Sequence, residues 1–445
     1  MIRWWCERAW LGDPDGATEP GVAVTVVGDR VTAVETGMAG PSEGAERLAG
    51  LTIPGVANAH SHAFHRALRG RTHSSGGTFW TWRETMYDLA ARLDPDTYRA
   101  LATATFAEMA LAGFTCVGEF HYLHHGPDGR PYADPNAMGD AIRAAAEAAG
   151  VRLTLLDTCY LQGGPGVGPD PRQRRFSDGD ASTWADRVGH LSATATARIG
   201  AAFHSVRAID PAAMEDVAAW AREAGAPLHA HVSEQPAENQ QCLDAHGCTP
   251  MEFLEARGVL DDRFTAVHAT HLTPGDLALL ARSGAGCCLC PTTERDLADG
   301  IGPTAALRDQ GTPLCLGTDS HAVIDPFEEA RAVELDERLA SLRRGTHPPG
   351  ALLGMATTEG YRRLGWPEGG RIEVGALADL TTVALDSPRL AGTPGDQVVA
   401  GVVFGATAAD VHHVVVGGRT VVRDRSHLRV DVTRELQQTI HALWS

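Results

Sequence analysis

The 445-residue chain contains no lysine, so all 38 residues counted as Lys or Arg are arginines. That absence excludes Schiff-base chemistry on lysine, a pyridoxal-phosphate lysine and a P-loop lysine. It also excludes a metal centre bridged by a carboxylated lysine. Any fixed positive charge in a binding site must be a guanidinium. The sequence also lacks an uninterrupted apolar run of about 18 residues, so no membrane span is expected. The opening stretch "MIRWWCERAW" sets charges among its tryptophans and has no signal-peptide core, which points to the cytoplasm. With 56 acidic residues the formal net charge is −18, which disfavours nucleic acid and anionic membranes as partners. An anionic substrate would need a local cationic pocket to overcome that field. The nine cysteines are scattered apart from "GCCLCP", with Cys287, Cys288 and Cys290. Their C-x-x-C spacing has no second pair nearby and lies in an apolar run. Buried strand thiols in a reducing compartment are the expected reading.

What is present has the make-up of a soluble globular protein: 43% hydrophobic and 21% charged residues. The length suits a large barrel with an appendage. Both ends are Val-rich, with Gly-Asp or Gly-Gly turns. They predict one small β-sandwich domain built from residues 1–52 and 370–445. Residues 53–369 alternate instead. Eight apolar runs each end in polar residues: "LTIPGVANAHSH", "FTCVGEFHY", "VRLTLLDTCY", "RIGAAFHSVR", "PLHAHVSE", "FTAVHATH", "GAGCCLCPTTE" and "PLCLGTDSH". Helical patterns lie between them, with start signals such as Asp210-Pro211 and stops such as Gly225. Eight strands alternating with helices predict an α/β fold, a (β/α)8 barrel with its chemistry at the C-terminal strand ends. Two connections, 63–93 and 160–184, are long enough to be walls or lids over the mouth.

His60-Ser61-His62 closes the first predicted strand. Side chains two apart on a strand face the same way, so both imidazoles can reach one ion. "HAHVSE" offers His231 with Glu234 three residues on, "VHATH" offers His268 and His271, and "GTDSH" offers Asp319. Histidines and a carboxylate from separate strand ends can close around one divalent ion, for which Zn²⁺ suits the N and O donors.

These four elements, in this order, resemble the amidohydrolase superfamily. The absence of lysine fits its mononuclear, deaminase-like branch. Finer motifs cover about residues 50–345: "HSHAFHRALRG", "FWTWRE", "EFHYLHHGPDG", "AFHSVRAI", "CPTTERDLADGI". They resemble members that hydrolyse N-formimidoyl-L-glutamate to N-formyl-L-glutamate and ammonia in histidine degradation. The resemblance implies that His60, His62, His231 and Asp319 hold the metal. Glu234 would move the proton, His268 would hydrogen-bond the attacking oxygen, and Asp319 would share in catalysis. A substrate with two carboxylates needs cations, for which Arg83 and Arg207 suit bidentate binding. Tyr122, His204 and His65 would complete the substrate contacts. His65 is out of phase with the metal pair and stands where glutamine is expected. Arg295 stands where a small residue is expected, and either aids an anionic ligand or faces solvent. Trp80 and Trp82 are expected to be packing residues. The resemblance also implies a homodimer. The rival readings are a mononuclear-zinc deaminase of a purine or triazine-type ring and a noncatalytic metal-binding barrel.

Overall fold

The computed structural model describes residues 1–73 and 77–445. All eight apolar runs of the middle form strands. They are Val56–Ser61, Phe114–His121, Arg152–Cys159, Ala197–Ser205, Leu228–Val232, Phe264–His268, Gly286–Leu289 and Leu314–Leu316. Each pairs in parallel with the next in chain order. The helix expected from Asp210-Pro211 is present as Pro211–Ala224, and Pro95–Ala112, Pro250–Ala256 and Pro274–Ser283 share its start signal. Each begins with Pro after an Asp or Thr whose side chain accepts a backbone N–H of the first turn.

The first and eighth strands close the barrel through a bridge between Ser61 and Asp319. The His60 carbonyl accepts from the N–H groups of Thr318 (3.1 Å) and Asp319 (3.0 Å). Asn58 clamps the same seam: its Oδ1 accepts from Thr318 N at 3.0 Å, and its Nδ2 donates to Thr318 Oγ1 at 2.7 Å. Gly317 makes this approach feasible, because a Cβ there would lie 2.7 Å from His60 Cβ and 2.8 Å from His60 O.

The two chain ends build a second eight-stranded sheet. Its halves meet where Glu46–Pro54 pairs antiparallel with Leu380–Val383. Glu46–Pro54 runs through Gly55 straight into the first barrel strand, so this sheet anchors the strand that carries His60 and His62. Asp379 holds the junction. Its backbone carbonyl accepts from Gly55 N at 2.7 Å, and its carboxylate accepts from buried Arg152 of the third barrel strand at 2.7 and 3.1 Å. The C-terminal helix Val432–Trp444 leaves the sheet and packs on the barrel. There Trp444 Nε1 donates to Ala67 O at 3.1 Å.

The two long connections carry helical structure of their own. Within 63–93 lie a 3-10 turn, Ala63–Leu68, and a three-turn helix, Phe79–Ala90; residues 74–76 of that stretch lie outside the described residues. Within 160–184 the chain is irregular up to a turn at Arg174–Phe176, and the helix Ala181–Val188 then begins. The cysteines of "GCCLCP" are buried free thiols, and burial holds their pKa values well above the usual range. Among the described residues no helix is long and apolar enough to cross a membrane.

Candidate active site

Alternation along the first barrel strand turns His60 and His62 into the barrel and Ser61 away from it. Ser61 Oγ donates to Glu119 at 2.7 Å, and Glu119 also accepts from Ala63 N at 2.7 Å. Burial pushes the Glu119 carboxyl up to about 8, against the pull of these bonds. The inward pair meets His231 and Asp319, and one ligand atom from each of the four lies within 4.8 Å of the others. His231 Nε2 is 3.1 Å from His60 Nε2 and 3.4 Å from His62 Nε2. Asp319 Oδ1 is 3.4 Å from His60 Nε2 and 3.3 Å from His62 Nε2.

The far nitrogens explain why these atoms can meet. His62 Nδ1–H donates to Phe120 O at 3.0 Å, and His231 Nδ1–H donates to His204 O at 2.8 Å. Those bonds fix the tautomers and leave Nε2 lone pairs pointing inward. Burial holds all three imidazoles well below their usual pKa, so they are neutral. Converging lone pairs beside a carboxylate oxygen repel one another unless a cation sits among them. The donor set therefore fits one divalent ion.

A second group adjoins the first. His268 Nε2 lies 3.7 Å from Glu234 Oε1 and 3.8 Å from Asp319 Oδ2, so the two Asp319 oxygens face different partners. His268 Nδ1 is 3.3 Å from Glu294 Oε1. Burial opposes charge on His268, but Glu234, the Glu294 hydrogen bond and Asp319 push its pKa up to about 10. Burial pushes the Glu234 carboxyl up, and nearby Asp319 and Glu238 add to that. The backbone is left-handed at Ser233, His268, Ala269, Asp319 and His321, five of the nine such non-glycine residues described. Strain is concentrated where side chains must be aimed, as at other reactive sites.

Both groups open into a cavity of about 520 Å³. Its far wall comes from the Phe79–Ala90 helix and the 160–184 connection, and Arg83 and Arg207 both line it. Arg83 Nε donates to Tyr87 Oη at 2.6 Å. Among the described residues, neither guanidinium has a carboxylate within 4 Å.

Residues 51–421 match the amidohydrolase family. The chain belongs to that family. It is 40% identical over 400 residues to the formimidoylglutamate deiminase of Pseudomonas aeruginosa, covering 87% of this chain and 88% of the relative. It is 31% identical over 398 residues to a 5-methylthioadenosine/S-adenosylhomocysteine deaminase of Natronomonas pharaonis, covering 87% and 86%. Among solved structures, an amidohydrolase from Brucella melitensis superposes over 100% of both chains with a TM-score of 0.92 at 34% identity. A zinc complex of an atrazine chlorohydrolase from Arthrobacter aurescens shares the fold, with a TM-score of 0.86 over 100% of both chains at 22% identity.

Within this amidohydrolase scaffold the expected site residues fall together. His60, His62, His231 and Asp319 form one cluster, with Glu234 and His268 beside it. His65 is buried in the 3-10 turn, where its Nε2 is 3.1 Å from Tyr122 Oη. Burial lowers its pKa to about 3, so it is neutral. His204 lines the pocket, and its carbonyl orients His231. His271 is held outside the cluster by Asp299 O at 2.7 Å. Arg295 is a surface residue paired with Asp336 (2.9 Å) and Glu328 (3.0 Å), and it faces away from the pocket.

Trp80 is exposed, but Trp82 corrects the expectation of mere packing. It lines the pocket, with its ring edge-on to His65 at 5.0 Å. Sequence reasoning missed Tyr87, Tyr160, Glu294 and Asp299. A signal for the first existed: Phe79, Trp82, Arg83, Met86 and Tyr87 recur at helical spacing, and all five line the cavity.

Proposed function

We propose that this protein hydrolyses the C=N bond of N-formimidoyl-L-glutamate, giving N-formyl-L-glutamate and ammonia in histidine degradation. The observation that carries the reading is the pair Arg83 and Arg207, both lining the pocket without a carboxylate partner among the described residues. In a chain of net charge −18, two guanidinium groups left without counter-charge suit a dianionic ligand. A purine or triazine ring would leave both charges desolvated and unpaired, which is costly. The activity of the Pseudomonas relative supports the same reading.

His60, His62, His231 and Asp319 would hold one divalent ion, and zinc suits those donors. When bound, such an ion lowers the pKa of water toward neutrality and polarises it for attack. Glu234 takes the proton of the attacking water, a task its raised pKa allows near pH 7. Protonated His268 donates from Nε2 to the negative charge that develops on the attacking oxygen. As the C–O bond forms, the C=N π pair moves onto the imino nitrogen, which Glu234 protonates. The remaining hydroxyl proton passes through Asp319 to the same nitrogen as the C–N bond breaks, so ammonia leaves and the formyl C=O remains.

The test is purified protein stripped of metal, reloaded with zinc and offered formimidoylglutamate, formimidoylaspartate and guanine, with ammonia release followed. The expected outcome is rapid turnover of formimidoylglutamate and none of guanine. The reverse pattern would reject the assignment.

A further inference from the structure

Gln173 sits in the 160–184 connection, only 1% exposed and behind the pocket wall. Its Oε1 accepts from the backbone N–H of Asp170 at 2.9 Å. A backbone N–H can only donate, so the carboxamide orientation is fixed. The amide nitrogen must therefore face the other way. It donates to two tyrosines that line the cavity, Tyr87 Oη at 3.0 Å and Tyr160 Oη at 2.9 Å.

This arrangement dictates what the hydroxyls can do. Tyr87 Oη accepts from Gln173 and also from Arg83 Nε at 2.6 Å, and neither group can accept in return. Both oxygen lone pairs are thereby used, and only the hydroxyl hydrogen remains. Tyr160 Oη also accepts from Gln173, and Tyr87 has no lone pair left to take its hydrogen. The remaining lone pair of Tyr160 accepts from the Tyr87 hydroxyl, which fills Tyr160 in turn and leaves only the Tyr160 hydrogen for the pocket. Burial first of all raises the Tyr160 pKa, so its hydrogen stays in place. The Arg83 end of the pocket is consequently lined by donors alone.

We infer that Gln173 is a positioning residue that, together with Tyr87, forces Tyr160 to present its O–H to the substrate carboxylate received by Arg83, and so makes this end of the pocket selective for a carboxylate over a carboxamide. The inference rests on the functional reading above and concerns the side-chain carboxylate, the one farther from the reacting carbon. A carboxylate only accepts, whereas a carboxamide brings an NH₂ group that needs an acceptor, and this end offers none.

Gln173→Glu tests the point with little change of shape. One carboxylate oxygen still accepts from Asp170 N. The other now accepts from the tyrosines, which turns their lone pairs toward the pocket. The substrates are formimidoylglutamate and its side-chain carboxamide, N-formimidoylglutamine. The readout is the ratio of their kcat/KM values, which a loss of folded protein does not move. The expected result is a fall in that ratio of roughly tenfold or more in Gln173→Glu, carried mainly by KM. Gln173→Met, which frees the hydroxyls without reversing them, should give a smaller fall. If wild type turns over both substrates and the ratio stays unchanged in both variants, the role of Gln173 is overturned and the functional reading stands. If wild type acts on neither formimidoyl compound, the functional reading falls and this inference falls with it.

Discussion

Two buried clusters of histidine and aspartate lie near each other in this barrel, and they use the same residue types to opposite ends. His60, His62, His231 and Asp319 form one; His121, His124 and Asp157 form the other, with ligand atoms also within 4.8 Å of one another. In the first, the imidazole lone pairs converge on Asp319 Oδ1, and the one positive side chain nearby, His268, faces the other oxygen, Oδ2, at 3.8 Å. In the second, the positive charge is already supplied. Arg187 donates to both oxygens of Asp157, at 2.8 and 2.9 Å, and Trp184 Nε1 adds a third bond at 3.0 Å. The same guanidinium reaches Asp178 at 2.8 and 2.9 Å, and His125 Nε2 lies 3.0 Å from that carboxylate. Clustering alone does not make a metal centre; what decides is whether the carboxylate is still uncompensated. The second cluster is a structural tie that secures the 160–184 connection to the third barrel strand.

The sharpest way to break the comparison is to remove one carboxylate from each side. Asp319→Ala should abolish metal retention and lower activity by roughly 10³-fold or more, the scale on which loss of a catalytic group falls. Asp157→Asn should leave the metal content at one ion per chain, as read by elemental analysis. Glu234→Gln should keep the metal and lower kcat by about 10²–10⁴-fold, the usual worth of general acid–base catalysis. If its metal content fell in parallel, Glu234 would belong with the ligands instead.

Arg187→Met attacks the second cluster directly. It takes the guanidinium from two buried carboxylates and should cost about 3–5 kcal/mol of stability in denaturant unfolding. The pH dependence carries the sign. Burial works against them, but Arg187 and neighbouring histidines lower the Asp157 carboxyl and hold Asp178 well below the usual carboxylate range. Their stabilisation is complete above the unfolded value of about 3.9 and is lost as pH falls through the depressed folded values. In the variant, burial outweighs the histidines that remain and raises both, so acid relieves it. The gap between wild type and variant should narrow as pH falls from about 7 to about 3, first through relief of the variant and then through loss of the wild-type stabilisation; a constant gap over that range would mean that charge is not what Arg187 contributes. Arg207→Met should have the smallest effect. It should raise KM for formimidoylglutamate roughly 10–100-fold, the worth of charge-assisted hydrogen bonds, and barely change KM for a neutral amidine.

The legibility of these regions in the sequence follows the range of the interactions. H-x-H could be read because strand alternation is local, and the helix starts could be read because capping involves only a few neighbouring residues. Asp319 could be read from its motif at the end of an apolar run. The Phe79–Ala90 helix was masked by its aromatic density, although its pocket face keeps helical spacing. Asp157 and Arg187 are 30 residues apart, and nothing in either neighbourhood names the other. Gln173 is further from legible, since its meaning depends on an amide orientation set by Asp170 and on a hydroxyl contributed by a helix 86 residues earlier.

The seam between Val56–Ser61 and Leu314–Leu316 has a consequence in time. A chain emerging from the ribosome carries His60 and His62 early and His231 midway, but Asp319 only after all eight strands have been made. Until Thr318 and Asp319 dock on the His60 carbonyl, the three imidazoles have no carboxylate opposite them. An unfinished barrel would hold a metal ion poorly. Tight retention would thus arrive with closure of the barrel, and metal capture would mark that its first and eighth strands have met.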